Sequence, residues 1–187
     1  LTFPFSSGEV WLYTGGHHGG WGTGSAWAAV DFAPPDERQD DSPACYTSDY
    51  FAVAVADGVI ARSEAGIVVL DLDGDGDEST GWTILYLHID SQDRVAAGTI
   101  VHRGDRIGRP SCEGGFSTAT HLHVARRYNG EWIPISCELC LPEQQLPPFV
   151  MSGWTMVGFA QQEYQGIMVR GNEQRIAEQG RLIEENR

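Results

Sequence analysis

The segment STATHLHVARR, residues 117–127, sets two of the chain's six histidines two residues apart around a leucine. In an extended strand, residues i and i+2 point to the same face. His121 and His123 would therefore share one side, with Leu122 and Val124 turned to the core. Two imidazoles on one face begin a metal site or an acid–base pair, but they also suit a strand whose polar side is half-exposed. Upstream, YTGGHHGGWGTGSAWAAVDF puts His17 and His18 in a glycine-rich stretch and Asp31 just after the strand-like AWAAV. A carboxylate with two imidazoles is a competent shell for zinc, and three protein ligands leave a fourth position open, the mark of a catalytic rather than a structural site. Taken alone, Asp31 also suits the cap of a turn.

The other histidines extend the same question. His88 follows the apolar run ILYL, and His102 in IVHRGD reads as an exposed surface residue. Tyr86 lies two before His88 and would share its face, lining a cleft or packing in the core. Trp21 and Trp27 suit a substrate wall or anchors for the glycine-rich loop. No HExxH segment occurs, so a helical glutamate base is excluded. In LDLDGDGDESTGW, Asp71, Asp73, Asp75 and Asp77 alternate like the first half of a calcium loop, though Trp82 stands where an EF-hand needs its glutamate. A hairpin-tip calcium site and a solvated acidic turn both fit.

The elements that position these residues read as short strands. Segments 49–62, 66–74, 81–89, 98–108 and 121–136 are rich in Val, Ile and aromatics and punctuated by Gly and Asp. Asn129-Gly130 is a hairpin signal. With no convincing amphipathic helix before residue 170, the expected class is all-β: an antiparallel sheet core with barrel-sandwich-like elements and a groove lined by long loops. The opening through residue 43 reads as loop-rich. Residues 1–141 are expected to form the functional domain, with 142–187 a C-terminal extension packed on it: two strands, GWTMVGF and GIMVRG, and a polar tail that is frayed helix or disordered.

Composition narrows the partners. A net charge of -14 and a pI near 4.6 argue against nucleic acid. No run of about 18 apolar residues exists to span a membrane. All twelve basic residues are arginine. The segments ADGVI and VAAGTIVHRGDRIG would also suit a lipoyl- or biotinyl-type carrier, but that function needs a lysine to modify and the chain has none. Four cysteines, Cys45, Cys112, Cys137 and Cys140, allow three full pairings. The CxxC in SCELC lacks the second pair of a zinc ribbon and the βαβ setting of a redox motif, so a disulfide in an exported protein is the expectation. The chain starts at Leu1 rather than Met, and an export signal is expected to have been removed or to lie upstream.

An ordered set of segments resembles the lysostaphin-type (LytM-like) zinc metallopeptidases, in particular their staphylolysin-like subgroup. The set comprises a loop histidine, the Asp of DF, ADGV, LYLHI, the VAAGTIVHRGDRIG run and CEGGFSTATHLH, and it covers roughly residues 15–136. The resemblance implies one zinc ion held by His18, Asp31 and His123, with His88 and His121 as metal-free catalytic histidines. The residues alone leave His17 and His18 open, and the subgroup's spacing to the aspartate selects His18. The commoner family pattern sets that pair closer together. Zinc lowers the pKa of a bound water to about 7; one spare imidazole would accept its proton and the other steady the oxyanion. The implied function is a secreted or cell-envelope, monomeric endopeptidase for the peptide part of bacterial peptidoglycan, or for glycine-rich peptides. The alternative is a non-catalytic wall-binding or hydrolase-activating relative. The acidic charge opposes steering toward polyanionic wall, which favours a stem peptide met locally.

Overall fold

The computed structural model describes residues 1–36, 42–136 and 146–178. Among these, no helix forms, and the expected all-β class holds. The N-terminal strands are β1 (Leu12–His18) and β2 (Ala29–Ala33), followed by the short β3 (Ala52–Val53). The middle of the chain supplies β4 (Gly58–Glu64), β5 (Ile67–Asp71), β6 (Trp82–Leu87), β7 (Ile100–Val101) and β8 (Arg106–Gly108). Then come β9 (Leu122–Tyr128) and β10 (Glu131–Trp132), and finally β11 (Val150–Met151), β12 (Trp154–Gly158), β13 (Gly166–Arg170) and β14 (Glu173–Ile176).

The main sheet runs β1-β2-β9-β6-β5-β4-β7, with β10 added on β9, and its pairings are antiparallel. Alternation sorts its side chains. Val30, Phe32, Ile84, Tyr86, Leu122 and Val124 face the large core. Ala29, Leu85, Leu87 and Ala125 form a smaller cluster on the other face. Asp31 and His123 continue that second face, because each lies between two residues of the large core. The strand β5 is buried throughout, as a β-branched run covered on both faces should be. Each of these large aliphatic side chains contributes about 1.5–3 kcal/mol by leaving water.

A second sheet, β11-β12-β13-β14, is a meander, and its Met151 and Met156, with Phe149, belong to the same large core. Arg126 is buried beneath it and donates to the carbonyls of Ile133, Pro134 and Pro147; burial draws its pKa down to about 10. Three expectations change. Residues 12–18 are a strand rather than loop. The run 98–108 breaks into β7 and β8, which pair with different strands. The start of the polar tail, 173–176, is a strand held by β13, and the rest of that tail, 179–187, lies outside the described residues. Asn129 and Gly130 both take positive φ, 48° and 78°, as the hairpin signal requires.

Glycine content makes β1 read as loop. A Cβ on Gly15 would lie 2.4 Å from Asp31 Oδ2, and one on Gly16 would lie 2.4 Å from the Gln165 backbone. The two glycines let a carboxylate and the β12–β13 loop approach the strand closely, so a composition that suggests flexibility is a packing requirement.

Candidate metal centre

Consecutive strands bring the expected residues together. His18 ends β1, Asp31 sits in β2 opposite His123 in β9, and Leu87 lies opposite His123 from β6. His18, Asp31 and His123 are buried, and their ligand atoms lie within 4.8 Å of one another. Asp31 Oδ1 is 3.1 Å from His18 Nε2, 3.3 Å from His123 Nδ1 and 3.7 Å from His121 Nε2. None of these is an aligned hydrogen bond to that buried oxygen.

Backbone carbonyls fix the tautomers. His18 Nδ1 lies 2.8 Å from Gly16 O and His123 Nε2 lies 2.6 Å from Gly20 O. A carbonyl only accepts, so both nitrogens carry the proton and each ring turns a bare nitrogen inward. Those bare nitrogens, His18 Nε2 and His123 Nδ1, are 3.0 Å apart beside the carboxylate. Two lone pairs and an anionic oxygen facing one another repel unless a proton or a cation lies between them. Two N donors and one O donor, each ring pinned from behind, match a zinc ligand set. Burial would lower the His18 pKa, but Asp31 outweighs it and the pKa is raised. His123 is drawn down by burial. For Asp31, burial alone would raise the pKa, but His18 and His123 hold it well below the usual carboxylate range.

The other two imidazoles stand beside this cluster. His88 and His121 ring centroids are 4.5 Å apart, and His88 is 6.2 Å from His123. His88 Nδ1 donates to Glu113 O at 2.9 Å and His121 Nδ1 to Ala119 O at 2.8 Å, so each leaves Nε2 free to accept. Burial, then the neighbouring His121, lowers the His88 pKa to about 4, which keeps it neutral at neutral pH.

His17 turns away. Its Nε2 donates to Phe159 O at 2.8 Å and its ring packs edge-on against Trp27. Trp27 is thus an anchor, whereas Trp21 is exposed on the wall of the groove. His102 is exposed, as expected. Tyr86 takes the core reading. It is fully buried, and its hydroxyl accepts the Val55 N–H at 2.9 Å, so it lies in the core and not in the cleft. The i, i+2 rule fails because β6 ends at Leu87 and His88 takes φ 67°, which swings its side chain to the groove.

The groove has a volume of about 410 Å³, and its rim carries the exposed Trp21 and Phe116. Glu163 and Tyr164, from the β12–β13 loop, are wall residues that sequence reasoning missed. The Tyr164 ring stacks on His18 at 4.4 Å and 25°. Its N–H donates to His17 O and its carbonyl accepts from Gly16 N, both at 2.9 Å. Its φ of 65° is a left-handed conformation that no motif announces.

The calcium expectation gains no support. Asp71, Asp73 and Asp75 bring carboxylate oxygens near one another, but the tip satisfies them itself. Asp71 accepts the amides of Asp73 and Gly76, Asp73 that of Asp75, and Asp75 that of Asp77. Asp77 stands outside the group and takes both the amide and the hydroxyl of Ser79.

Residues 47–134 match peptidase family M23. The matched stretch, just under half of the chain, resembles an M23 peptidase domain. This bears out the resemblance read in the sequence. The match holds His88, His121 and His123, while His18 and Asp31 lie upstream of it and reach the site through β1 and β2. Protease LasA of Pseudomonas aeruginosa, in two strains, is 27% identical over 145 residues, which is 72% of this chain and 31% of the relative. The chain thus spans about a third of the length of the curated relatives it matches. Among solved structures, the M23 metalloprotease pseudoalterin from the deep sea is 21% identical. Its superposition covers 95% of this chain and 94% of that one at a TM-score of 0.68, which shows a shared fold.

A disulfide joins Cys45 to Cys112, which chooses one bond among the possible pairings. Cys137 and Cys140 lie outside the described residues.

Proposed function

We propose that this M23 domain is a zinc-dependent endopeptidase that hydrolyses the peptide part of bacterial cell-wall peptidoglycan, cross-bridge or stem, and works outside the cell or in its envelope. One observation carries the reading: the bare nitrogens of His18 and His123 face each other at 3.0 Å beside Asp31. This donor set calls for a cation. His18, Asp31 and His123 would hold zinc, which supplies Lewis acidity that polarises a carbonyl and acidifies water.

The rest of the reaction belongs to the chain's own groups. His88, neutral through burial, accepts a proton at Nε2. His121 presents its own Nε2 across the same space as a second acceptor, and the proton taken from water at an Nε2 is then given to the leaving amine. Outward hydrogen bonds to Glu113 O and Ala119 O hold both rings in orientation. Tyr164, stacked on His18, walls the groove on the side of the C-terminal sheet. Gly19, Gly22 and Gly115 line the groove without side chains, which favours small residues such as glycine near the scissile bond. The lysostaphin-type resemblance supplies the wall substrate.

The test pairs metal analysis with turnover of purified wall and of pentaglycine. The parent protein is expected to bind about one zinc and to cleave at least one substrate. His121→Ala should keep the metal and lose turnover, whereas His123→Ala should lose both. A parent protein that holds zinc and cleaves neither would move the domain to the non-catalytic, wall-binding reading.

A further inference from the structure

The four imidazoles rest on two different supports. His18 and His123, with Asp31, are carried by the paired strands β1, β2 and β9. His88 and His121 lie just outside strands, His88 after the end of β6 and His121 before the start of β9. Each is held by a separate loop.

On one side, Ser111 N–H and Ser111 Oγ donate to His88 O at 2.7 and 3.1 Å, and Glu113 O takes the His88 Nδ1 proton. On the other, Thr120, next to His121, is clasped by the segment 44–46. Its N–H donates to Ala44 O at 2.9 Å, its hydroxyl donates to Tyr46 O at 2.6 Å, and the same hydroxyl accepts from Tyr46 N–H at 2.8 Å. Cys45 is the centre of the clasp on Thr120, and Cys112 lies between the two residues that hold His88. One covalent bond, Cys45–Cys112, joins them across 67 residues of chain. A bridge between Ser111 and His121 closes the circuit.

We propose that the Cys45–Cys112 disulfide is a positioning device for His88 and His121, setting the separation of the two proton-transferring rings while leaving the metal ligands to the sheet. The inference rests on the peptidase reading above. Its physical content is that proton transfer depends on placement at the ångström scale, where a misplacement of about 1 Å costs on the order of 100-fold in rate. The ladder under His18, Asp31 and His123 contains neither loop, so metal affinity does not pass through the crosslink.

The experiment uses the full chain loaded with zinc and compares the parent with a Cys45→Ser/Cys112→Ser protein, with Thr120→Val and with Ser111→Ala. The last two keep the disulfide and the backbone hydrogen bonds but remove the side-chain ones, Thr120 Oγ1 with Tyr46 and Ser111 Oγ with His88 O. Metal content, melting temperature, kcat and KM on a glycine peptide are measured well below the melting transition. The expected result for the double variant is about one zinc, an unchanged KM and a kcat lowered roughly 10- to 100-fold. Thr120→Val and Ser111→Ala should lower kcat in the same direction with smaller losses of melting temperature. A double variant that melts earlier but turns over at the parent kcat overturns the proposal, as does one that loses its zinc. Should the double variant fail to fold, parental kcat in both single variants overturns it. If the parent itself cleaves nothing, the peptidase reading falls and takes this inference with it, a result separate from loss of kcat in the variants.

Discussion

Gly15→Ala puts the site geometry to its sharpest test, because it replaces no proposed ligand and adds one methyl group. In the structure that methyl carbon would stand 2.4 Å from Asp31 Oδ2 and 2.9 Å from Asp31 Cβ and Cγ. Carbon contacts become comfortable only near 3.5 Å, so about 1 Å of relief is needed. The backbone cannot supply it readily, since β2 is hydrogen-bonded to β1 on one side and to β9 on the other. The carboxylate must rotate away from His18 and His123 instead. Metal sites hold their ligand distances to about 0.2 Å, so the shift is about five times what coordination tolerates. Overpacking costs about 1–3 kcal/mol of stability, and zinc affinity should fall by at least about 10- to 100-fold. Competition against a chromogenic chelator reads the affinity, and far-ultraviolet circular dichroism confirms the fold. Gly16→Ala serves as the comparison: its methyl would meet Gln165 backbone, which displaces the Tyr164 loop and leaves the ligands in place. A folded Gly15→Ala protein with parental zinc affinity would refute the assignment of Asp31 to the metal.

The remaining predictions concern the core, the rim and the acidic tip. Tyr86→Phe strands the buried Val55 N–H and should cost about 1–3 kcal/mol in urea unfolding, with kcat unchanged. Burial raises the pKa of Tyr86, and burial followed by Asp31 raises that of Tyr13. The stability tied to their neutral forms is therefore fully present below about pH 10, the unfolded value, and is lost as pH climbs from there toward the higher folded values. Tyr86→Phe should flatten part of that alkaline fall. Glu163 puts a carboxylate on the groove wall, so Glu163→Gln should reduce the preference for a free-amine peptide over its acetylated form by roughly two- to fivefold in kcat/KM, and an unchanged ratio would remove it from substrate recognition. Millimolar calcium should leave the melting temperature where EGTA leaves it, because the carboxylates at the 71–77 tip already have amide partners; a rise would reinstate a cation there.

The chemistry was legible in the sequence where it depends on local periodicity or on residue type. The two-residue repeat of strands predicts that His121 and His123 share a face, and the runs of Val, Ile and aromatics indicate an antiparallel β class. The absence of lysine rules out a carrier function on composition alone. What the sequence left open turns on contacts between residues far apart in the chain. Which of two adjacent histidines faces the centre is settled by Phe159, whose carbonyl captures His17 and leaves His18 to the site. Gly15 and Gly16 read as loop because the carboxylate and the hairpin that need their missing side chains lie 16 and about 150 residues away. Tyr164 reaches His18 only through the β12–β13 loop, and Tyr86 parts from His88 through one backbone angle at the end of a strand. The disulfide partner of Cys45 is likewise set by where two loops meet. Periodicity fixes the direction of a side chain relative to its own strand, while packing fixes which side chains from different strands and loops converge on one point.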